Sequence, residues 1–258
     1  MGWDMLKKRI IPVLLLKNGR MVKGKQFCNY RDTGEPKTAI RIYSAQDADE
    51  LIFLNIDSQT TDKSSLIELL KIASKECFMP LSAGGGVDSV QDVRDFLLAG
   101  ADKVVINTNS VLSPNLIKKS AEIFGSQCIV GSIDYKKSNI GSNKVYINSG
   151  KTMIDLDPIS HAIHLESLGV GEIILNSIDR DGMMQGYDIE LAEEISTKIS
   201  IPLIVAGGAG NFMHLIDLFK NTDSSAAACA SIFHFGDNNP IRARSYLKNA
   251  GIPMRVLR

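Results

Sequence analysis

One carboxylate stands at the end of an apolar run. Cys128–Asp134 reads as a strand that finishes in Ile133-Asp134, and a carboxyl group held at a strand end is a candidate general acid or base. Two glycine runs keep it company. Gly84-Gly85-Gly86 and Gly207-Gly208-Ala209-Gly210 each close an apolar run and open a helical pattern. Glycine lets backbone N–H groups approach a ligand without a Cβ in the way, and a helix N-terminus adds positive potential, so each run suits a phosphate. Asn107-Thr108 and Ala230-Ser231 end the following runs and offer further amide or hydroxyl donors; Asp181-Gly182 sits in a loop that can close on the same kind of group. These glycines would equally permit tight strand-to-helix turns. Their pairing tips the balance: Ile56-Asp57, Pro80-Leu81 and Gly85-Gly86 return 122 residues later as Ile178-Asp179, Pro202-Leu203 and Gly207-Gly208. A repeat of half the chain implies two copies of one plan, hence two anion cradles facing each other and a long ligand phosphorylated at both ends. The repeat breaks at the carboxylate, because the first-half strand equivalent to the one carrying Asp134 ends in Leu14-Leu15-Leu16.

The elements that must position these residues follow from periodicity. Eight short apolar runs read as strands: Arg9–Leu16, Glu50–Asn55, Met79–Ala83, Lys103–Asn107, Cys128–Asp134, Glu172–Asn176, Pro202–Ala206 and Ala226–Ala230. Amphipathic stretches separate them, such as Ser64–Ala73, where Leu66, Leu69, Leu70 and Ala73 share one helix face. Strands apolar on both faces, alternating with helices, point to a parallel sheet closed as a (β/α)8 TIM barrel spanning 1–258 as a single domain; a doubly wound open sheet is the alternative. Two insertions interrupt the pattern. Lys17–Arg31 carries the Asn18-Gly19 hairpin signal, with Asn29–Pro36 expected as a mobile loop, and Lys136–Lys151 suggests a small hairpin. Both follow strands and so belong to the C-terminal face, where barrel active sites lie.

Composition removes several classes of function. The 258 residues are 44% hydrophobic and 22% charged, with 29 basic residues balancing 29 acidic ones, so no global charge draws the chain to nucleic acid or membrane. No apolar run is long enough to span a bilayer. Cys28, Cys77, Cys128 and Cys229 are widely spaced without a CxxC pair, which fits a reduced, cytoplasmic setting. No metal-ligand spacing is present and no cofactor is expected. His161, His164 and His234 read as packing or surface residues, Cys229 as a small core residue, Cys28 as a loop thiol and Trp3 as a terminal tether.

Longer stretches carry a resemblance. Arg9-Ile10-Ile11-Pro12, Lys17 to Gly24, Arg31 to Pro36, Gly100-Ala101-Asp102-Lys103, Gly125-Ser126-Gln127-Cys128, Asp179-Arg180-Asp181-Gly182 and Phe233-His234-Phe235-Gly236 together resemble the HisF family, the cyclase subunit of imidazole glycerol phosphate synthase. The resemblance covers essentially the whole chain. It implies a barrel that pairs with a HisH-like glutaminase as a heterodimer, receives ammonia along its axis and acts on a doubly phosphorylated ribulosyl aminoimidazole intermediate. Of the family's two catalytic aspartates, one maps onto Asp134 and the other onto Leu15, which can neither give nor take a proton. A further family acid maps onto Asn55. Lys23 maps to a substrate contact from the first hairpin, and Gly85, Gly86, Asn107, Thr108, Ser177, Asp181, Gly182, Gly207, Gly208, Ala230 and Ser231 to substrate and phosphate contacts. The family's ammonia gate maps onto Arg9, Glu50, Lys103 and Glu172, all retained; Asp102 and Gln127 map to positions facing the glutaminase. Such a charged ring would otherwise serve to stabilise the bottom of the barrel.

Three functions remain open on the sequence. The first is an ammonia-channelling synthase subunit that has drifted toward acetamidino-sugar modification of surface polysaccharides, with a sugar amidotransferase as a further partner. That subgroup is the one the missing strand-1 acid resembles. The second is a working cyclase in histidine biosynthesis. The third is a non-catalytic scaffold that activates a glutaminase.

Overall fold

The computed structural model describes residues 7–57, 63–138 and 141–255; Trp3 lies outside them. Eight parallel strands form the barrel: β1 (Arg9–Lys17), β4 (Leu51–Asn55), β5 (Leu81–Gly84), β6 (Lys103–Ile106), β7 (Ile129–Lys137), β10 (Glu172–Ser177), β11 (Leu203–Ala206) and β12 (Ala226–Cys229). They pair in that order, and β12 pairs back onto β1. The sheet therefore has no open edge among these strands, which excludes the doubly wound alternative and gives the TIM barrel expected from the strand count.

Strand alternation sorts the apolar residues into two separate cores. One set packs outward under the helices, including Ile10, Leu14, Phe53, Ile133 and Leu175. The other fills the interior with Ile11, Ile52, Val105, Val130, Ile174, Ile204, Ala226 and Ala228. Successive side chains of a strand point to opposite faces. Residues that differ by two along one strand therefore stack inside the barrel, and that stacking layers the interior.

Both insertions are β-structure laid against the strands they follow. Strands β2 (Arg20–Lys25) and β3 (Cys28–Gly34) extend antiparallel from β1. The segment Asn29–Pro36 expected as a mobile loop is thus mostly strand. Its side chains are largely exposed, so no apolar alternation marked it. Its order comes from pairing Lys23 with Arg31 and Val22 with Asp32, and from Arg20, whose guanidinium holds Asp32 at 2.8 Å and also reaches Glu35. Cys28 begins this strand and is not in a loop. On the opposite side, β8 (Asn143–Ile147) and β9 (Thr152–Ile154) extend β7 in the same manner.

Helix α2 (Ser64–Glu76) contains the amphipathic stretch Ser64–Ala73, and α3 (Val90–Leu98), α5 (Pro114–Phe124), α6 (Pro158–Ser167), α7 (Ile189–Ser196), α8 (Phe212–Asn221) and α10 (Pro240–Asn249) fall on amphipathic stretches read as Val90–Ala99, Leu116–Ile123, Pro158–Leu168, Glu190–Ile199, Met213–Lys220 and Arg242–Ala250. Three further helices were not expected: α1 (Pro36–Ala45), whose proline at the first helical position is a start signal, and the single-turn pieces α4 (Thr108–Leu112) and α9 (Ser231–His234).

Candidate active site

The C-terminal rim surrounds a cavity of about 390 Å³. Asp134 stands in it at the end of β7, in register with Asn176 of β10. Asn176 Nδ2 donates to Asp134 Oδ1 at 3.1 Å. The residue is 8% exposed. Burial pushes its pKa up to about 7, against the opposing Asn176 hydrogen bond and with help from the negative charge of Asp181. A group titrating there can both accept and deliver protons near neutrality.

Leu15 also lines the cavity, in register with Leu54 of β4. In the order of strands β1 stands four places from β7, so the leucine faces the aspartate from the opposite wall. The only basic side chain on the cavity wall among the described residues is Lys23. It is 2% exposed and its ammonium meets Asp181 Oδ1 at 2.6 Å. The other Asp181 oxygen has no hydrogen-bond partner among the described residues. Gln26 N donates to Asp181 O at 2.8 Å, so the β2–β3 hairpin is fastened to the loop after β10.

The glycine runs occupy opposite parts of this mouth. At Gly85, with φ of +113°, a Cβ would stand 2.1 Å from Asn55 O; at Gly208, with φ of +117°, it would stand 2.0 Å from Gly186 O. Both positions require glycine for chain packing, so the tight-turn explanation holds for these two residues whatever else they do. Gly86 and Gly207 also line the cavity. Beside Gly85 and Gly86 lies Thr108, the first residue of α4; beside Gly207 and Gly208 lies Ser231, the first residue of α9. The third N–H of each turn is already bonded, Ser110 N to Asn107 O and Phe233 N to Ala230 O, but the N–H groups of the first two helical residues precede any intrahelical acceptor, so each half of the mouth offers backbone donors to an anion.

The remaining expected residues divide by what already occupies them. Ser231 Oγ is buried without a partner among the described residues. Thr108 Oγ1 accepts from Asn148 N at 3.1 Å, and Asn107 Nδ2 donates to Ser132 O at 3.0 Å. Gly182 and Ala230 line the cavity. Ser177 does not; it is buried behind Gly207, whose hypothetical Cβ would meet Ser177 O at 2.5 Å. Sequence reasoning missed Asn176, which only the β7–β10 register places beside Asp134, and Phe27, Tyr30, Asn148 and Ser149, which the two hairpins bring over the mouth. Burial raises the Tyr30 phenol to about 12, with Asp181 adding to the effect.

At the other end of the barrel four charges close a ring. Arg9 Nη1 meets Glu50 at 2.7 Å, and its Nη2 binds Glu172; Lys103 Nζ meets both Glu50 and Glu172 at 2.8 Å. Ser82 Oγ adds a bond to Glu50 at 2.6 Å. Burying these acids is costly unless every one is paired, and here each touches both cations. Ile52, Val105 and Ile174 stand two residues beyond Glu50, Lys103 and Glu172 and line the cavity floor. The ring and the cavity are thus one side-chain layer apart, about 7 Å along a strand. Asp102 and Gln127 are exposed on this same lower face. Phe78, Leu98 and Ile123, which precede β5, β6 and β7, are exposed there too, Phe78 completely.

Comparison with known proteins adds a family. A family model described as "Histidine biosynthesis protein" matches residues 9–239. Imidazole glycerol phosphate synthase subunit HisF of Dehalococcoides mccartyi is 46% identical over 252 residues, covering 98% of this chain and 99% of that protein. The chain belongs to the histidine biosynthesis protein family, as a HisF-like member. Among the described residues no helix is long and apolar enough to cross a membrane, and no group of His, Cys, Asp or Glu is placed to hold a metal.

The buried carboxyl makes stability depend on pH. Asp134 titrates near 7 when folded and near 4 when unfolded, so the folded chain binds the proton more tightly. Its contribution is fully present below about pH 4 and is lost as pH rises through about 7. Asp134→Asn should therefore raise the melting temperature at pH 8 and change it little at pH 4, as followed by thermal melts across that range.

Proposed function

We propose that this chain is the synthase subunit of a glutamine-dependent pair. It takes ammonia from a glutaminase through its charged ring and presents it at Asp134 to a ligand phosphorylated at both ends. The observation that carries this reading is the alignment of three features on one axis. The ring lies at the bottom, one apolar layer stands above it, and the cavity with its two glycine cradles lies at the top. Ammonia is neutral and small, so it can pass an ion-paired ring that opens at one pair and an apolar layer that excludes hydrated ions. The likeness to a HisF subunit supports the same partner and the same class of ligand.

The acceptor chemistry is the finer part of the proposal. Attack of ammonia followed by ring closure needs protons removed and delivered on both faces of the reacting centre. Asp134, titrating near 7, can serve one face. Leu15 cannot serve the other, and losing one acid–base group costs typically 10²–10⁴-fold. We read the chain as drifted from imidazole formation toward handing nitrogen to another acceptor, in keeping with amidination of surface-polysaccharide sugars by a further amidotransferase. A second reading, a working cyclase in histidine synthesis, is favoured by the 46% identity over nearly the full length. Turnover of the ribulosyl aminoimidazole intermediate with ammonium salts separates the two. The drifted subunit should be slow, with Leu15→Asp raising turnover at least tenfold, toward the ~10²–10⁴-fold that such groups supply. Ordinary turnover in the unsubstituted protein would establish the cyclase instead.

The glutaminase would dock on the lower face, where exposed Phe78, Leu98 and Ile123 lie near Asp102 and Gln127. An exposed aromatic at such a face is a candidate binding anchor, worth about 2 kcal/mol or more when buried by a partner. Phe78→Glu should weaken binding of the co-expressed glutaminase at least tenfold by calorimetry, with the melting temperature unchanged. Unaltered binding would place the partner elsewhere.

A further inference from the structure

Lys63 lies at the first cradle and belongs to no role described so far. Its Cε is 3.5 Å from where a Cβ on Gly86 would stand, so its side chain runs alongside that glycine. Its ammonium is 2.6 Å from Asp92 Oδ1 and 3.5 Å from Asp88 Oδ1. The two carboxylates differ in kind. Asp92, the third residue of α3, closes a capping box with the N-cap Ser89, accepting from Ser89 N at 2.9 Å and from Asp88 N at 3.0 Å. Although burial works against it, Lys63 and these cap bonds hold its carboxyl well below the ordinary range. Asp88 has a side chain 63% exposed, lines the cavity and meets Lys63 only at long range. A negative side chain thus stands at the entrance of a cradle suited to a dianion, loosely held by a cation. At the offset of the repeat, the residue matching Lys63 is the uncharged Gln185; a cation in that half, Arg180, donates from Nη1 to Gly186 O at 3.3 Å and is held there by backbone.

We propose that Lys63 completes the anion site of the first cradle, exchanging its loose contact with Asp88 for a ligand phosphate while Asp92 keeps the side chain in place. The inference rests on the reading of the glycine runs as phosphate cradles and assigns them unequal strength, the Gly86 end binding with a cation and the Gly208 end with backbone and hydroxyl donors alone. Charge-assisted bonds are roughly twice as strong as neutral ones, so the Gly86 end should be the tighter.

The test is a titration of ¹⁵N-labelled protein with inorganic phosphate, following the amide resonances of Gly86 and Gly208. Lys63→Met should raise the dissociation constant read at Gly86 about tenfold and leave that read at Gly208 within about twofold, which also reports that the variant is folded. Asp88→Asn should act in the opposite direction, tightening phosphate at Gly86 by removing a competing anion, and Lys63→Arg should retain binding. If Lys63 only braces α3, the Lys63→Met and Asp88→Asn variants change in the same direction or not at all, and the proposal fails while the cradles stand. If phosphate moves neither glycine in the unsubstituted protein, the cradle reading fails with it.

Discussion

Asp134 is a carboxyl group buried in a mouth with almost no counter-charge to spare. The one basic side chain on the described cavity wall, Lys23, is committed to Asp181 at 2.6 Å. Among the described residues, what remains for Asp134 is a single amide hydrogen bond from Asn176. Desolvation therefore prevails over stabilisation of the anion, and the group is held near neutral titration. The apolar wall containing Leu15 and Leu54 sustains that environment, as does the roof made by the two hairpins. An ordinary solvated aspartate in the same place would be fully ionised at neutral pH and unable to donate a proton.

The rest of the molecule sets this site between two ends of different chemistry. Closure of a parallel sheet puts every strand start at one end and every strand finish at the other. The residues that begin β1, β6 and β10, with Glu50 just before β4, form the charged ring, while the finishing residues form the cavity. Between the ring and the cavity stands the interior layer that contains Ile52, Val105 and Ile174. The twofold plan places a hairpin after β1 and another after β7, and a glycine run at the end of β5 and another after β11. The symmetry is kept in the backbone and broken in the side chains at the mouth: Leu15 against Asp134, Lys63 against Gln185, and Thr108, whose hydroxyl is tied to a hairpin, against Ser231, whose hydroxyl has no partner among the described residues.

The barrel was legible because its signals are local and repeated. Eight apolar runs, matched glycines and the offset between halves need no knowledge of packing. What escaped was set by partners distant in sequence. Strand β3 reads Cys28-Asn29-Tyr30-Arg31-Asp32-Thr33-Gly34, with no apolar face; it is a strand because β2 supplies its hydrogen bonds. The single turns α4 and α9 are too short for periodicity to mark, yet they carry Thr108 and Ser231 at the mouth. Asn176 became visible beside Asp134 only through the register of β7 and β10. Ser177, one residue farther on, points away from the cavity by the same alternation that turns Asn176 into it.

The most direct test of this account is a ¹³C NMR titration of the Asp134 carboxyl carbon in the intact chain. A buried acid–base group facing leucine should show its inflection near pH 7, moving lower when Leu54 is replaced by a residue that admits water. An inflection near pH 4 in the unsubstituted protein would mean that Asp134 is solvated and permanently charged, and the proton-transfer role assigned to it would be wrong.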